Sequence, residues 1–503
     1  MAMQKTEALQ GTHERRTQVC VIGSGPGGAV VAKELAMRGV DVIVLEAGPR
    51  LKASESTRDI GEFMQRFLSE SGANAAVGNA FVTMLQAECV GGTSEINSAI
   101  FKRLPERILK EWIEDRQLKD LTVEEMDEHY EVLEDEMGME PSQMPTQGEK
   151  NLLLKRGFER LGWDSHPLQR VVKGCKGASD CFTGCPTGVK QTMASTYILR
   201  AVTNGADLYP LCRATHLRIE HGRACGVEAD ILHPETRKPQ GRLIVHADAV
   251  VCSGGVFWSP LLLQRAKIRN ARIGKNLRAH LGVMAMGFFD QAVYPWYGAI
   301  QGWGSNLMEK RGLVMETLWA PPAVFAGRLP GVGHELQERI KNFKHCTTIA
   351  TKARGCSTGL VREGTGGKPM PFFWIRQEDV DETAFGLKSC IDALFASGAR
   401  EVYAGCHGVP KVMRDPSQSE LLLTKRFRPT SFQFVATHLF GTCAMGGDPR
   451  QSVVDSWCES HDIRDLYVCD ASILPTGTVS NPQETIMAFS RRAALEMAER
   501  YAA

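Results

Sequence analysis

Residues 18–35 read Gln18-Val19-Cys20-Val21-Ile22-Gly23-Ser24-Gly25-Pro26-Gly27-Gly28-Ala29-Val30-Val31-Ala32-Lys33-Glu34-Leu35. An apolar run of strand length is followed by Gly23-x-Gly25-x-x-Gly28 and then by a helical apolar pattern. Gly23 suits a tight turn, Gly25 lets a pyrophosphate approach the backbone, and Gly28 permits close packing of helix on strand. The stretch predicts a dinucleotide-binding turn, with the N-terminus of the helix facing a phosphate.

The next apolar stretch strengthens this prediction, because a glycine pattern alone is weak evidence. Residues 40–46 form a β-branched run that ends in Glu46, 18 residues after Gly28. An acidic side chain at this position can accept a hydrogen bond from a ribose hydroxyl. The complete βαβ unit favours a bound dinucleotide over a glycine turn without a ligand.

Length and composition bound the class of protein. The chain has 503 residues, 43% hydrophobic and 23% charged, which is enough for the cores of two or three globular domains. A formal net charge of +1 gives no electrostatic reason to expect nucleic acid or an anionic membrane as a partner.

The cysteines and the N-terminus bear on location. The 15 cysteines are odd in number and mostly single in apolar surroundings, which is typical of a reducing compartment rather than a disulfide framework. The N-terminus is polar, and no apolar stretch is long enough to span a bilayer. We expect a cytoplasmic protein, with peripheral membrane association left open.

A second glycine-rich loop, Gly91-Gly92-Thr93-Ser94, precedes Asn97. Adjacent glycines followed by small hydroxyl residues suit a backbone that lies flat against a ligand, although an ordinary loop is the alternative.

Residues 105–140 are charged and helix-favouring. We assign them to solvated amphipathic helices without a chemical role.

Residues 174–188 form an unusual loop with cysteines at 175, 181 and 185, interleaved with glycine. The spacing would let three thiolates surround one centre, such as a three-iron cluster or a four-iron cluster that lacks one protein ligand. The same residues would leave a zinc ion one ligand short. A surface loop with free thiols, or a labile disulfide, is the alternative.

After a helical pattern at 196–205, alternating residues predict a β-meander with strands at 207–211, 214–220, 224–231 and 242–247. A buried strand at 249–253 then ends in two glycines. Ser259 and Pro260 predict the start of a helix, with Ser259 as N-cap and Pro260 in the first turn.

The rest of the chain predicts a second domain and a return to the first. Residues 283–435 combine aromatic residues and strand-like runs with a helical pattern near 382–397, which favours an antiparallel sheet with helices. In the closing stretch a strand ends at Asp470 and a helix begins at Asn481-Pro482. The N-terminus of that helix can stabilise negative charge beside it.

Three separated motifs make the chain similar to one known family. They are Gly23-x-Gly25-x-x-Gly28 with Glu46; Gly91-Gly92-Thr93-Ser94-x-x-Asn97; and His438-x-x-Gly441-Thr442 with Asp470 and Asn481-Pro482. The chain resembles, over nearly its full length, the glucose–methanol–choline (GMC) family of FAD-dependent alcohol oxidoreductases. Gly274-x-Asn276-Leu277-x-x-His280 also resembles an internal motif of the family, whereas Ala266-Lys267 departs from its usual Ser-Gly pair.

The resemblance implies an α/β fold with an FAD-binding Rossmann-type domain and a substrate domain built on an antiparallel sheet with helices. It implies non-covalent FAD, because the loop at 91–97 contains no histidine. The implied cofactor-binding residues are Gly23, Gly25, Gly28, Glu46, Gly92, Thr93, Asn97, Asp470 and Pro482. The implied segments are FAD-binding at 15–110, 191–282 and 436–503, helical on the substrate side at 111–170, a cysteine loop at 171–190, and a substrate domain at 283–435.

The resemblance also assigns catalytic roles to His438 and Asn481. His438 would accept the hydroxyl proton of an alcohol, since the unperturbed pKa of histidine lies near working pH. Asn481 would orient the substrate oxygen, as in the family branch that acts on sterols and hydrophobic alcohols, and a hydride would pass to flavin N5. We leave four other histidines as structural, namely His280, His345, His407 and His461.

The loop with Cys175, Cys181 and Cys185 resembles that of bacterial dehydrogenase members that carry an iron–sulfur cluster. A cluster would pass electrons to a cytochrome or quinone, whereas without it dioxygen could reoxidise the flavin. We therefore expect a dehydrogenase acting on a hydrophobic or aromatic primary alcohol. The alternatives are an oxygen-using alcohol or sterol oxidase, a non-redox lyase of the same fold, and a carrier protein with a vestigial cofactor site.

Overall fold

The computed structural model describes residues 6–502. The strands of this range are β1 Gly11–Ile22, β2 Val42–Leu45, β3 Ala75–Gly78, β4 Val82–Met84, β5 Met139–Pro141, β6 His166–Pro167, β7 Gln169–Val171, β8 Asp207–Tyr209, β9 Cys212–Glu220, β10 Arg223–Leu232, β11 Pro239–Cys252, β12 Lys275–Ala279, β13 Leu281–Phe288, β14 Trp303–Ser305, β15 Leu313–Leu318, β16 Cys346–Ala353, β17 Thr358–Glu363, β18 Pro369–Trp374, β19 Glu401–Tyr403, β20 Phe434–Ala436, β21 Leu439–Phe440 and β22 Leu466–Val468. The α-helices are α1 Pro26–Ala36, α2 Ile60–Phe67, α3 Glu106–Asp115, α4 Val123–Met137, α5 Gly148–Arg160, α6 Tyr197–Thr203, α7 Gly255–Arg265, α8 Pro322–Ala326, α9 His334–Lys341, α10 Gln377–Ala396, α11 Leu421–Thr424 and α12 Gln483–Tyr501.

The first sheet has seven strands in the order β8-β2-β1-β11-β10-β9, with β22 also paired to β11. The strands β8, β2, β1, β11 and β22 are parallel, whereas β10 and β9 join in antiparallel fashion. The strand residues Val19, Val21 and Val42–Leu45 are buried, as expected for central parallel strands covered on both faces. Helix α1 packs against α12 and α6, which confirms the predicted Rossmann-type layer.

The register of this sheet brings four strand ends to one level. Ile22 lies opposite Leu45 and Cys252, and Cys252 lies opposite Val468. The residues that follow these ends are therefore neighbours at the carboxyl edge of the sheet, where open α/β sheets bind their ligands. This edge positions the glycine turn, Glu46, Ser253 and Asp470.

Close backbone contacts explain two glycines of the turn. A Cβ atom on Gly28 would lie 2.0 Å from the carbonyl oxygen of Gly23, whereas a Cβ atom on Gly25 would have its nearest neighbour, Gly92 Cα, at 4.0 Å. Gly28 is thus required for packing of α1 on β1. At Gly25 the protein itself leaves room for a side chain, which indicates that the glycine serves approach by a ligand.

The second sheet has thirteen strands and is mostly antiparallel. Its centre is formed by β13, β16 and β15, with Lys352 opposite Gly282 and Val314. Parallel pairing occurs between β18 and β3 and between β20 and β4. Helix α10 packs across β13 and β16, so the predicted antiparallel sheet with helices is confirmed.

Two local predictions were wrong. The stretch at 207–211 is not part of the meander, because β8 pairs in parallel with β2 at the opposite edge of the sheet. Helix α7 begins at Gly255, and Pro260 lies inside it. The hydroxyl of Ser259 donates instead to Asp470, while the adjacent glycines let the chain turn directly from strand into helix.

The amphipathic helices α3 and α4 and the connection between them each bury apolar residues. These are Trp112, Leu118, Leu121, Met126, Tyr130 and Leu133. Within residues 6–502, no helix has the length and apolar character needed to cross a lipid bilayer.

Candidate active site

One cavity of about 470 Å³ joins the two sheets and is lined by residues from both. From the first sheet it receives the glycine turn, Glu46 and Asp470; from the second it receives Glu316, Lys352 and His438. Its size is within the range of small-molecule and cofactor sites, about 300–1,000 Å³. The residues predicted from sequence that line it are Gly23, Gly25, Glu46, Gly92, Thr93, Asn97, His438, Asp470, Asn481 and Pro482, while Gly28 packs behind the turn.

The acid predicted to contact a ribose is held in place by the glycine turn. Glu46 Oε2 accepts hydrogen bonds from the backbone N–H and the hydroxyl of Ser24, at 3.0 and 2.6 Å, and Oε1 accepts from the N–H of Gly48 at 2.8 Å. Burial raises the pKa of Glu46, against the effect of these hydrogen bonds. Oε2 already accepts two hydrogen bonds, whereas Oε1 accepts one and keeps a lone pair for a further donor in the cavity.

Asp470 has a structural role that the sequence did not reveal. Its Oδ2 accepts from the N–H of Gly255 and from the hydroxyl of Ser259, at 2.9 and 2.5 Å, and its Oδ1 accepts from the N–H of Ser472 at 2.7 Å. The carboxylate therefore fastens the N-terminus of α7 to the end of β22. It still lines the cavity.

The second glycine loop forms the facing wall. A Cβ atom on Gly92 would lie 2.9 Å from Gly25 Cα, so the two glycine loops meet backbone to backbone. Thr93 Oγ1 accepts from the N–H of Ala87 at 3.2 Å. Asn97 Nδ2 donates to Gln483 Oε1 at 2.5 Å, which joins this loop to the first residue of α12.

These residues fit FAD. Two glycine backbones without side chains, the N-terminus of α1 and a buried carboxylate with spare acceptor capacity suit the pyrophosphate and ribose of a dinucleotide. At the other end of the cavity, Pro482 places the N-terminus of the 19-residue helix α12 on the lining. A helix N-terminus there stabilises negative charge on a neighbouring ring.

His438 is half-buried and lines the cavity, and a second histidine lies behind it. Ala279 of β12 pairs with Leu439 of β21, and this register sets His280 beside His438. The Nδ1 atoms of the two rings are 3.2 Å apart, and the rings meet edge to face at 79°. The Nε2 atom of His280 accepts from the N–H of Val479 at 3.2 Å.

Burial and a neighbouring cation keep His438 neutral. Burial lowers its pKa, Lys352 lowers it further, and Glu316 opposes the shift, with a resulting pKa of about 3. Burial, His438 and Lys352 lower the pKa of His280 in the same way. Both imidazoles are therefore uncharged at neutral pH.

The side chain of Asn481 accepts a hydrogen bond from Lys352, which also forms an ion pair with Glu316. The sequence analysis did not predict this pair. Lys352 Nζ donates to Asn481 Oδ1 at 2.9 Å and to Glu316 Oε1 at 2.7 Å. Gln301 Nε2 donates to the other oxygen of Glu316 at 3.2 Å. Because an ammonium group can only donate, the contacted Asn481 atom is its oxygen, and the amide NH₂ is left for another acceptor.

The missed residues carried weak signals. Glu316 and Lys352 are charged residues within otherwise apolar strands, and Glu316 is opposite Ala350, two residues from Lys352. Charges at buried strand positions indicate pairing or function, but their alignment depends on the register between strands. His280 stood in a recognised motif, yet its partner was 158 residues away.

The iron–sulfur prediction finds no support. Over residues 6–502, no group of three or more His, Cys, Asp or Glu side chains lies close enough to hold a metal ion. Buried Arg170 instead directs its two Nη atoms toward Cys175 and Cys181, at 4.0 and 3.5 Å from the sulfurs. Cys185 contacts the hydroxyl of Thr187 at 3.3 Å, so two of the thiols share Arg170 and the third has a different partner.

Family comparisons agree with this fold and site. Models described as GMC oxidoreductase match residues 64–282 and 366–490, and a model described as FAD binding domain matches 16–57. An uncharacterized GMC-type oxidoreductase from Mycobacterium tuberculosis is 30% identical over 94% of this chain and 75% of its own. The chain belongs to the GMC oxidoreductase family and is a flavoprotein with FAD as its cofactor.

Two further relatives differ in what they establish. A long-chain-alcohol oxidase from Arabidopsis thaliana is 27% identical over 94% of this chain and 66% of its own. Pyridoxine 4-oxidase from Mesorbium loti superposes with a TM-score of 0.71 at 16% identity, covering 95% of this chain and 99% of that structure. This second similarity shows the fold alone.

Proposed function

We propose that the protein oxidises hydrophobic primary alcohols to aldehydes, with His438 and Asn481 holding the hydroxyl oxygen. The observation that carries this proposal is that both side chains line the same cavity as the FAD-binding glycine turn. The named activity of the plant relative supports an alcohol as substrate. Bound FAD supplies the hydride acceptor.

His438 is the proposed base. Its low pKa keeps His438 neutral at neutral pH. In the tautomer that carries the proton on Nδ1, the Nε2 atom, which has no hydrogen-bond partner among the described residues, has a lone pair for the hydroxyl proton. Because burial and Lys352 disfavour the imidazolium form, we expect proton transfer to His438 to accompany hydride departure.

The hydrogen bonds of His280 favour a second role for His438. Since Val479 donates to Nε2 of His280, the proton of neutral His280 lies on Nδ1 and is donated to Nδ1 of His438. Neutral His438 then carries its own proton on Nε2. In that form it donates to the alcohol oxygen, and the alternative acceptor of the hydroxyl proton is the carboxylate of Glu316, which also lines the cavity.

Asn481 contributes the second contact to the oxygen. With its Oδ1 occupied by Lys352, its NH₂ group donates to the substrate oxygen and stabilises the negative charge that develops there. The ion pair of Lys352 with Glu316 thereby sets the orientation of the amide.

The test is anaerobic mixing of the purified protein with a series of primary alcohols while flavin absorbance is followed. We expect bleaching, slowed about 10²-fold or more in His438→Gln. The double variant Glu316→Gln/Lys352→Met leaves no unpaired charge and separates the two roles. If His438 is the base, the double variant slows reduction only about as much as Asn481→Ala does, because the amide loses its orienting donor; if Glu316 is the base, reduction is lost. A lyase would leave the flavin oxidised with every alcohol.

The electron acceptor is a separate proposal. The expected dehydrogenase depended on an iron–sulfur cluster, for which the described residues bring no ligand set together, whereas the plant relative is named an oxidase. We infer that dioxygen reoxidises the protein. Hydrogen peroxide equal to the alcohol consumed in air is the expected result; turnover only with added dyes or quinones would identify a dehydrogenase.

The proposed location is the cytoplasm. All 15 cysteines lie within the described residues and are free thiols, which fits a reducing compartment.

A further inference from the structure

An arginine without a partner lies on the substrate side of the cavity. Arg328 follows helix α8 and lines the cavity together with Trp319, Val324 and Phe325. Among residues 6–502, its guanidinium group makes no hydrogen bond, ion pair or contact with an aromatic ring; its only hydrogen bond is from its backbone N–H to Phe325 O, at 2.9 Å. Burial lowers its pKa, and no neighbouring charge contributes.

Such a group is costly in an apolar wall. Arg328 is half-buried, so its guanidinium group loses part of its hydration, and an anion in the cavity would compensate that loss. Other arginines of this region are satisfied: Arg339, for example, donates to Pro330 O at 2.7 Å and to Tyr403 Oη at 3.0 Å. The exception at Arg328 therefore calls for a ligand as its partner.

The lining residues that lie between Glu316 and Arg328 in the chain are all apolar. They are Leu318, Trp319, Ala320, Val324 and Phe325. Trp319 packs on Phe325 with ring centroids 5.3 Å apart. An extended chain rises about 3.3 Å per residue, so the four steps from Glu316 to Ala320 span up to about 13 Å.

We propose that the substrate is an ω-hydroxy carboxylic acid, with its hydroxyl at His438 and Asn481 and its carboxylate paired with Arg328. The inference rests on the alcohol oxidation proposed above and names the substrate class. The planar fork of a guanidinium group matches the two oxygens of a carboxylate. The apolar wall takes the hydrocarbon between the two ends.

Three substrates and three variants test this. The substrates are ω-hydroxydodecanoate, its methyl ester and dodecanol, which share a chain and differ in the remote end. The variants are Arg328→Leu, Arg328→Lys and, as a matched control, Arg426→Leu, since Arg426 is exposed and does not line the cavity. The measurements are kcat and KM for each substrate, FAD content, and equilibrium binding of dodecanoate.

We expect the acid to exceed its methyl ester in kcat/KM by about tenfold or more, as for one charge-assisted pair. Arg328→Leu abolishes this ratio through KM and weakens dodecanoate binding, Arg328→Lys keeps part of it, and Arg426→Leu keeps all of it. Equal kcat/KM for acid and ester, or a ratio that survives in Arg328→Leu, overturns the proposal. Loss of FAD from Arg328→Leu also overturns it, because the arginine would then serve the cofactor.

The dodecanoate measurement separates this proposal from the proposed function. If no alcohol reduces the flavin but Arg328→Leu still weakens dodecanoate binding, alcohol oxidation fails and the carboxylate site stands. If alcohols reduce the flavin and dodecanoate binds equally to the wild type and to Arg328→Leu, alcohol oxidation stands and the carboxylate site fails.

Discussion

At the residue scale, the environment of His438 decides its chemistry. An isolated histidine would titrate near 6.5, where it would lose its lone pair in mild acid. Burial and Lys352 move the pKa of His438 to about 3. The residue thus remains neutral over the whole range in which the protein would work.

This shift predicts a pH profile. As the pH is lowered through 6.5, the kcat/KM for flavin reduction should stay level, because His438 keeps its unprotonated form until the pH approaches about 3. Stopped-flow reduction at saturating FAD, with circular dichroism as a control for folding, provides the measurement. An acid limb with a midpoint near 6.5 would contradict the assigned environment of His438.

A second residue-scale prediction concerns Lys352. Lys352→Met should raise KM and slow reduction, because Asn481 loses the donor that orients its amide and Glu316 is left buried without its cation. In the Asn481→Ala background, Lys352→Met should lower kcat/KM by a much smaller factor than it does in the wild type. A double-mutant cycle on kcat/KM checks this, and purely additive effects would show that Lys352 does not act through Asn481.

At the element scale, the glycine turn has two separable functions, which are packing of α1 on β1 and approach of a ligand to the backbone. Gly28 makes room for the carbonyl of Gly23, and Gly25 lies against Gly92 on the cavity lining. Only the second function concerns a ligand.

Two alanine variants separate them. Gly28→Ala should fail to fold or lose much of its thermal stability, since its Cβ atom would lie 2.0 Å from a backbone oxygen. Gly25→Ala should keep the unfolding temperature of the apoprotein and bind FAD more weakly, because its φ of −68° is compatible with alanine. The measurements are thermal unfolding of apoprotein and FAD titration. Equal FAD affinity in Gly25→Ala and wild type would remove this turn from the cofactor site.

The elements that sequence patterns predicted best are those with strong local periodicity. The βαβ unit, α6, α10 and the helical character of α3 and α4 follow from apolar spacing, which depends on neighbours in the chain. The start of α7 was missed because Ser259 looks like a cap, while Asp470, 211 residues away, takes its hydroxyl. Such long-range partners leave no local signal.

At the scale of the whole molecule, the candidate site lies where two sheets meet. The dinucleotide residues and His438 with Asn481 could be named from motifs because each motif is contiguous. The sequence could not predict the ion pair of Glu316 with Lys352 or the unpaired Arg328. Which side chains meet there depends on which strands become neighbours in the fold. The cysteine loop shows the opposite error: its spacing suits a metal cluster, but Arg170 lies against two of its sulfurs.

Buried neutral histidines should also govern the acid stability of the whole protein. His129 accepts from Arg491 at 2.7 Å, and burial with Arg491 and Arg492 lowers its pKa to about 4. Its unfolded pKa is near 6.5, so the unfolded chain binds the additional proton as pH falls. Stability from this residue is complete above pH 6.5 and is lost progressively down to about 4, at a cost of about 3 kcal/mol.

The change His129→Gln tests this linkage, because glutamine can accept from Arg491 and does not titrate. The thermal midpoint of this variant should fall less steeply between pH 6.5 and 4 than that of the wild type. His407→Gln, at an exposed position, is the control and should follow the wild type. Identical slopes for all three proteins would contradict the assignment.

The most direct measurement of the central claim is anaerobic stopped-flow mixing of the FAD-loaded protein with dodecanol and ω-hydroxydodecanoate, compared with His438→Gln and Asn481→Ala. The account predicts rapid bleaching of the flavin in the wild type, slowed about 10²-fold or more in His438→Gln. A flavin that stays oxidised with both substrates, or that bleaches equally fast without His438, would contradict it.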